Sequence, residues 1–300
     1  MQHTPLVSVI VIFFNAGQFF DEAIRSVFDQ QYRSWELLLI DDGSNDASAG
    51  LAVDLGKRFP GQVRYLEHAA HANRGMSASR NLGIQHARGR YIAFLDADDV
   101  WMPDKLSEQV SVLETHPEAG MTYGRALIWS SWSDSAEAAD YMFPLGVRGG
   151  NLIAPPGLLP NLLRNKVQTP MTSNAMLRRS VIERVGGFEE EFTGIYEDQV
   201  FFSKIEIHTA VFVSCSCYVK YRQHAGSCSA ASATGSYLLQ RRPFLQWLCG
   251  YLDSLKIPAE APVRRALDRE LWPYRHPHVN ALVSPFVKLI ERTKAFVANR

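Results

Sequence analysis

Asp96, Asp98 and Asp99 put three carboxylates into four consecutive positions, Asp96-Ala97-Asp98-Asp99. On an extended backbone, side chains at i and i+2 share a face, so Asp96 and Asp98 would stand roughly 6–7 Å apart. Carboxylates that close repel one another unless a cation or hydrogen-bond donors compensate. Mg2+ or Mn2+ suits such a place, being held by one or two carboxylates with phosphate oxygens completing the shell. The plainer reading is a polar strand-to-helix turn in which Asp99 helps cap the next helix. Asp41-Asp42-Gly43-Ser44 is a second acidic cluster. Its residue types are those of a turn and helix cap, yet a carboxylate there can also accept a hydrogen bond from a nucleobase ring N–H. Asn73-Arg74-Gly75 and Arg80-Asn81 add amide and cationic donors. The planar fork of a guanidinium fits a diphosphate, although each arginine could equally be a solvated surface residue.

These residues need elements that bring them together. Leu6 to Phe14 (LVSVIVIFF) is a continuous β-branched and aromatic run, the mark of a strand buried on both faces. Asn15-Ala16-Gly17 breaks it, and Phe20, Ile24, Val27 and Phe28 then recur at helical spacing. Glu36 to Ile40 reads as a strand, and Leu51, Leu55 and Phe59 as the stripe of a helix. Val63 to Leu66 reads as a short strand, Ser77 to Ala87 as a helix, and Tyr91 to Leu95 as a buried strand running into Asp96. This alternation predicts an α/β sheet, with ligands at the carboxyl ends of its strands. Asn15, Asp41-Asp42 and Asp96 to Asp99 all fall at such ends, so a single site is expected.

Further along, Met102 to Thr115 reads as a helix opening with Pro103, with Leu106, Val110 and Leu113 inward. Ser130 to Asp140 reads as a loop, Gly146 to Pro160 as irregular, and Thr172 to Leu177 as a strand. Ser180-x-x-Glu183 has the form of a capping box for a short helix ended by Gly186-Gly187. A helix is expected from Glu197, with Val200, Phe201 and Ile205 buried. Val211 to Tyr221 reads as a strand, and the chain beyond about Ser236 as mostly helical.

Lys+Arg and Asp+Glu both number 31 in 300 residues, so net charge is zero and exerts no bulk pull on nucleic acid or an anionic membrane. No apolar run approaches the ~20 residues of a membrane span, and no signal peptide is evident. Cys215, Cys217, Cys228 and Cys249 form no C-x-x-C. Cys215 and Cys217 share a strand face; a zinc pair is one reading and two small buried side chains the simpler one. A reducing, cytoplasmic location is expected.

VSVIVIFFN (7–15), LLLIDDGSND (37–46), NRGMSASRNLGIQHARGRYIAFLDADDVW (73–101), GGF (186–188) and YEDQVF (196–201) together resemble the ordered motifs of the family-2 glycosyltransferases. The resemblance covers about the first 225 residues. It implies a GT-A fold: a mostly parallel central sheet flanked by helices over residues 1–235, with a nucleotide-sugar half at about 1–100 and an acceptor half at about 101–235. A helical C-terminal extension over 236–300 follows. It also implies an inverting transferase that moves a sugar from a nucleotide-diphosphate donor, a UDP-sugar first among them, to a glycan or lipid-linked acceptor in cell-envelope polysaccharide or glycoconjugate synthesis. By the same resemblance Phe13, Phe14 and Asn15 would face the nucleobase, and Asp41 or Asp42 would accept from it. Asn73, Arg74 and Arg80 would lie near the nucleotide or its phosphates. Asp96, with Ala97, would hold the ribose, and Asp98 would bind Mn2+ or Mg2+. Asp198 would be the catalytic base and Glu197 would orient the acceptor. Many members carry Pro-x-Tyr-Asn after the first strand, where this chain has Ile12-Phe13-Phe14-Asn15, keeping the aromatic face and losing the hydroxyl. Tyr221-Arg222-Gln223-His224 resembles a late motif of some members, in which a histidine near the diphosphate reaches the metal, so His224 joins Asp98 as a candidate ligand; a solvated or core histidine is the plainer reading.

A non-catalytic nucleotide- or carbohydrate-binding module is the alternative from another class. An aspartyl phosphotransferase fits poorly, because no acidic residue follows the first strand until Asp21. A nucleotidyltransferase would need a lysine-bearing glycine loop there. Pro285 to Val297 places Phe286, Leu289, Ile290, Phe296 and Val297 toward one face. That pattern fits a helix packed on the catalytic domain or on a second subunit, or one resting on the inner face of a membrane.

Overall fold

The computed structural model describes residues 6–133, 138–164, 167–227, 230 and 237–280. The first strand, β1 (Val7–Phe13), is buried along its whole length. So is β2 (Trp35–Asp41). With β3 (Val63–Glu67) and β4 (Tyr91–Asp96) they form a parallel half-sheet in the order β3-β2-β1-β4. The chain builds outward from β1 to β3 and then returns to place β4 on the other side of β1. That reversal opens a crevice at the carboxyl ends of β1 and β4. The intervening helices α1 (Phe20–Phe28), α2 (Ala47–Arg58) and α3 (Met76–His86) cover the sheet.

The second half of the sheet is mixed. After the short β5 (Val100–Trp101) and α4 (Lys105–Thr115) comes β6 (Ala119–Trp129). Then follow β7 (Tyr141–Met142), β8 (Asn151–Ile153), α5 (Leu159–Arg164), β9 (Met176–Arg178), α6 (Arg179–Val185), α7 (Glu197–His208) and β10 (Ala210–Arg222). β9 is antiparallel to both β4 and β6, and so joins the halves. β6 and β10 run parallel along nearly their whole lengths. The long ladders are thus parallel, as expected, and the antiparallel pairings are short.

Two helices close the described chain, α8 (Tyr237–Ser254) and α9 (Pro262–Arg275). Phe244, Leu245, Leu248 and Leu252 of α8 and Val263 and Leu267 of α9 share one apolar core with Phe94, Leu177, Phe188 and Phe201. Residues on both sides of the boundary expected at 235 therefore pack as one core. Among the described residues no helix is long and apolar enough to cross a membrane. The segment 285–297 and Cys228 lie outside the described residues.

Several local expectations shift. In α2 the buried positions are Ser48 and Ala52, while Leu51 is 36% exposed; small residues let the helix sit close to the sheet, which turns Leu51 outward. α4 begins at Lys105 rather than Met102, because Val100-Trp101 pairs with β10 first. The Gly- and Pro-rich stretch from 146 contains β8 and the start of α5. Thr172–Asn174 is a 3-10 turn and not strand. Ser180 lies inside α6 and makes no cap; the position before the helix is Arg178. Gly186 does end α6 in the left-handed conformation, φ 84°. Cys215 is exposed and Cys217 partly buried, both as free thiols, because the register of β10 shifts between Val213 and Val219.

Candidate functional site

A cleft of about 670 Å³ opens at the crevice between β1 and β4. Ile12 to Phe19 form one wall and Asp42, Asn73, Gly75 and Met76 the next. Asp96, Ala97 and Asp98 form its floor, and Thr193-Gly194, Tyr221 and His224 close the far side.

Each wall has a local cause. β1 delivers Phe13, buried against the ring of Phe20 at 4.6 Å, and Phe14, which is 53% exposed. Asn15 turns the chain with φ 48°, a conformation asparagine tolerates better than most residues. Its N–H donates to Ser44 Oγ at 2.9 Å, and its Oδ1 accepts from Asn45 N–H at 2.8 Å. The two neighbouring aspartates of β2 divide their work. Asp41 is fully buried: Oδ1 accepts from Ser44 N–H at 2.7 Å, and Oδ2 lies 3.0 Å from the Tyr65 hydroxyl. Asp42 borders the cleft and accepts from the backbone N–H groups of Arg74 (2.7 Å) and Gly75 (2.9 Å). Gly43 has φ 85°, and a Cβ there would come within 2.9 Å of the His71 carbonyl oxygen. Only glycine lets the 71–75 loop lie on this turn.

Strand β4 stops at Asp96, and Ala97-Asp98 form a turn closed by Asp99 N–H to the Asp96 carbonyl at 3.1 Å. Asp96 and Asp98 are therefore not two positions of one extended face, and each has its own partners. Asp96 accepts from Arg80 Nη2 at 2.8 Å and from the Thr172 hydroxyl at 2.6 Å. Asp98 Oδ2 lies 2.9 Å from His224 Nε2. Burial and the nearby Asp96 charge push the Asp98 carboxyl up from its ordinary range, against the pull of His224. Asp99 does not cap α4. It is fully buried, accepts Arg222 N–H at 3.1 Å, and is pushed well up by burial and then by Asp98 and Asp96.

A divalent cation fits this donor set. An oxygen of Asp98 and a nitrogen of His224 meet at the cleft wall, and the crowding of carboxylates is the kind a cation relieves. Asp41, Glu67 and His71 also gather within 4.8 Å. There, however, His71 already bonds Glu67 (2.8 Å) and the Ser44 carbonyl (2.8 Å) through its two ring nitrogens.

Arg80 does not border the cleft. It is 2% exposed, with Nη2 on Asp96 and Nη1 on Glu197 Oε1 at 2.9 Å. Both ends of its fork are engaged by carboxylates, so it faces no diphosphate. Arg74 is exposed on the outside of its loop, 3.7 Å from Glu190. Glu197 is buried against Arg80 and Asp198 is half-buried beside it; neither borders the cleft, although Thr193-Gly194 just upstream does. Asp198 Oδ1 accepts its neighbour Gln199 N–H at 2.7 Å. Burial and then the Glu197 charge push its carboxyl up to about 7.

Arg222 belongs to the site although no local sequence signal marks it. Its guanidinium lies over Trp129 (4.5 Å), Phe19 (4.8 Å) and Trp132 (5.1 Å). Its Nε–H donates to the Asp98 carbonyl at 2.7 Å. It thereby fastens the Asp98 turn to the end of β10, two residues before His224. The motif Tyr221-Arg222-Gln223-His224 was visible, but the three rings come from distant segments. Thr172 was likewise hidden by its reading as strand.

The family model "Glycosyl transferase family 2" matches residues 8–186. TuaG of Bacillus subtilis, a glycosyltransferase named for teichuronic acid biosynthesis, is 38% identical over 112 residues, 36% of this chain and 42% of that protein. EpsE of the same organism, also named a glycosyltransferase, is 35% identical over 116 residues, 39% of this chain and 41% of EpsE. The matches thus span less than half the length of these two relatives. Among solved structures, S. aureus TarS 1-349 in complex with UDP-GlcNAc aligns at TM-score 0.65 and 15% identity, covering 92% of this chain and 75% of that one. The mannosyltransferase PcManGT of Pyrobaculum calidifontis, in complex with GDP-Man and Mn2+, aligns at TM-score 0.59 and 19% identity, covering 99% and 81%. At such identities the likeness shows the fold.

Proposed function

This chain belongs to glycosyl transferase family 2, and from that premise we propose that it transfers a sugar from a nucleotide-diphosphate donor to an acceptor hydroxyl with inversion. The observation that carries the reading is the meeting of Asp98 and His224 at 2.9 Å on a cleft that Phe14 and Asp42 also line. One end suits a metal-bound diphosphate and the other a flat base. Phe14 would stack on the base, with Phe13 and Asn15 shaping that wall. Asp42, with Asn73 beside it, would accept from the ring N–H, since it and not Asp41 borders the cleft. Asp96, with Ala97, would hold the ribose, and Arg80 would fix the aim of Asp96 instead of touching phosphate.

Asp98 and His224 would hold Mn2+ or Mg2+, which supplies Lewis-acid neutralisation of the leaving diphosphate. Asp198 would take the proton from the acceptor hydroxyl as its oxygen bonds to the anomeric carbon and the bond to the diphosphate breaks. One displacement inverts that carbon. Burial and then the Glu197 carboxylate would keep Asp198 basic enough for the task; Glu197 itself is buried against Arg80, so any part it has in orienting the acceptor would be indirect. UDP-sugars are the first donors to test, since TarS binds UDP-GlcNAc, with GDP-mannose next. TuaG is named for teichuronic acid biosynthesis, which supports a glycan acceptor; a lipid-linked glycan is the variant to test beside it.

A thermal-shift screen of UDP, UDP-sugars and GDP-mannose with Mn2+ tests the reading, because a ligand bound only by the native state raises its melting temperature. A shift with one nucleotide that needs Mn2+ is expected, together with slow donor hydrolysis. Absence of any shift would remove the nucleotide site, and binding without hydrolysis or transfer would leave a non-catalytic module.

A further inference from the structure

Residue 196 enters α7 in an unusual way. Tyr196, immediately before Glu197-Asp198, has φ 77° and ψ 2°, the left-handed conformation. For a bulky residue this conformation is uncommon and persists only where the surroundings enforce it. A ring contact on Tyr196 comes from helix α8. Tyr196 is 3% exposed, and its ring stacks on Phe244 of α8 at 5.7 Å with planes 7° apart. Phe244 is itself fully buried. Farther along α8, Tyr251 bonds His208 Nε2 at 2.8 Å, at the opposite end of α7. Helix α8 therefore grips α7 at both ends. Asp198 and α8 both lie beyond the residues the family model matches.

We propose that α8 is part of the active site: the Phe244–Tyr196 stack sets the left-handed entry to α7 and so aims the Asp198 carboxylate, with Phe244 and Tyr196 as positioning residues. A helix start that relaxed to an ordinary backbone would rotate its first turn, and Glu197-Asp198 with it. The inference rests on the reading of Asp198 as the base.

The test uses the full chain carrying F244L, Y196L, or both, with F244M as a volume-keeping replacement should F244L fold poorly. Hydrogen–deuterium exchange needs no donor: amides in 193–203 should exchange faster in each variant, while those in 6–14 stay as in wild type. UDP affinity with Mn2+, measured by calorimetry, should remain within about twofold, while kcat for UDP release from UDP-glucose or UDP-GlcNAc falls about 10- to 100-fold, the effect of a small misplacement of a catalytic group. The double variant should be no worse than either single one, because both break the same stack. Unchanged exchange in 193–203, additive losses, or UDP affinity falling in step with kcat would overturn the proposal. D198N in the same assay separates the two readings. If D198N turns over normally, the base is misassigned; if D198N is inactive and F244L retains full kcat, only the role of α8 fails.

Discussion

Arg80 and Glu197 are 117 residues apart in the chain and meet at 2.9 Å, in a pair whose two side chains are 2% and 8% exposed. The other arm of the same guanidinium holds Asp96 at 2.8 Å. One buried cation thus ties the floor of the cleft to the first turn of α7.

Removing that cation should be costly. R80M would leave the buried Glu197 carboxylate without its cation and free Asp96 at the cleft floor, a loss of about 3–5 kcal/mol for a broken buried pair. R80K should fall between, since an ammonium cannot serve two carboxylates with a planar fork. Urea midpoints of the three proteins decide it; equal midpoints would mean that Arg80 is dispensable to the fold.

Turnover should depend on a group titrating near neutrality. Asp198 is pushed up to about 7 and must be ionised to accept a proton, so kcat should rise with pH through that region and then level. D198N should bind UDP with near-native affinity and lose turnover. E197Q should move the acid limb to lower pH, because it removes the charge that raises Asp198. A limb that stays in place in E197Q would separate the two residues.

Chelation by EDTA should stop the reaction, and Mn2+ or Mg2+ should restore it. D98N should not be restored at any practical concentration. H224A should need at least about 10-fold more Mn2+, since losing a ligand costs no less than losing an outer partner of one. Manganese titration followed by electron paramagnetic resonance gives the same comparison without activity. Full activity in chelator would remove the metal from the mechanism.

Glu206 gives a prediction about stability. Among the described residues neither of its carboxyl oxygens has a hydrogen-bond partner, and burial pushes it up to about 8 from an ordinary 4.5. The folded value lies above the unfolded one, so the stability gained by keeping the proton is fully present below about 4.5 and is lost as pH rises through about 8. Across that window the folding equilibrium constant should fall by up to about tenfold per pH unit from this group. Urea midpoints at about pH 5, 6.5 and 8 should show a flatter dependence in E206Q, and an unaltered slope would exclude Glu206 as its source.

The first four strands and the acidic turns at their ends were legible because each is a local signal. An unbroken apolar run means a doubly buried strand, and Asp, Asn and Gly in clusters mean a turn. The site's neighbours were less legible. Thr172 read as strand, although it sits in a 3-10 turn that hydrogen-bonds Asp96. Arg222 carried no sign of its three rings, since contacts between distant segments leave no periodic trace in one strand. Arg80 read as a phosphate binder because residue type alone does not tell a solvated guanidinium from one buried between two acids.

By itself the sequence determined the parallel half-sheet, the strand ends where Asp42, Asp96 and Asp98 fall, and the family. These follow from hydrophobic period and turn chemistry, which act over a few residues. Only the tertiary structure decided that Asp42 and not Asp41 faces the cleft, that Asp98 meets His224 while Arg80 holds Asp96, and that α8 reaches Tyr196. Those pairings depend on which buried charges find partners across long stretches of chain, and only the packed core brings them within hydrogen-bonding reach.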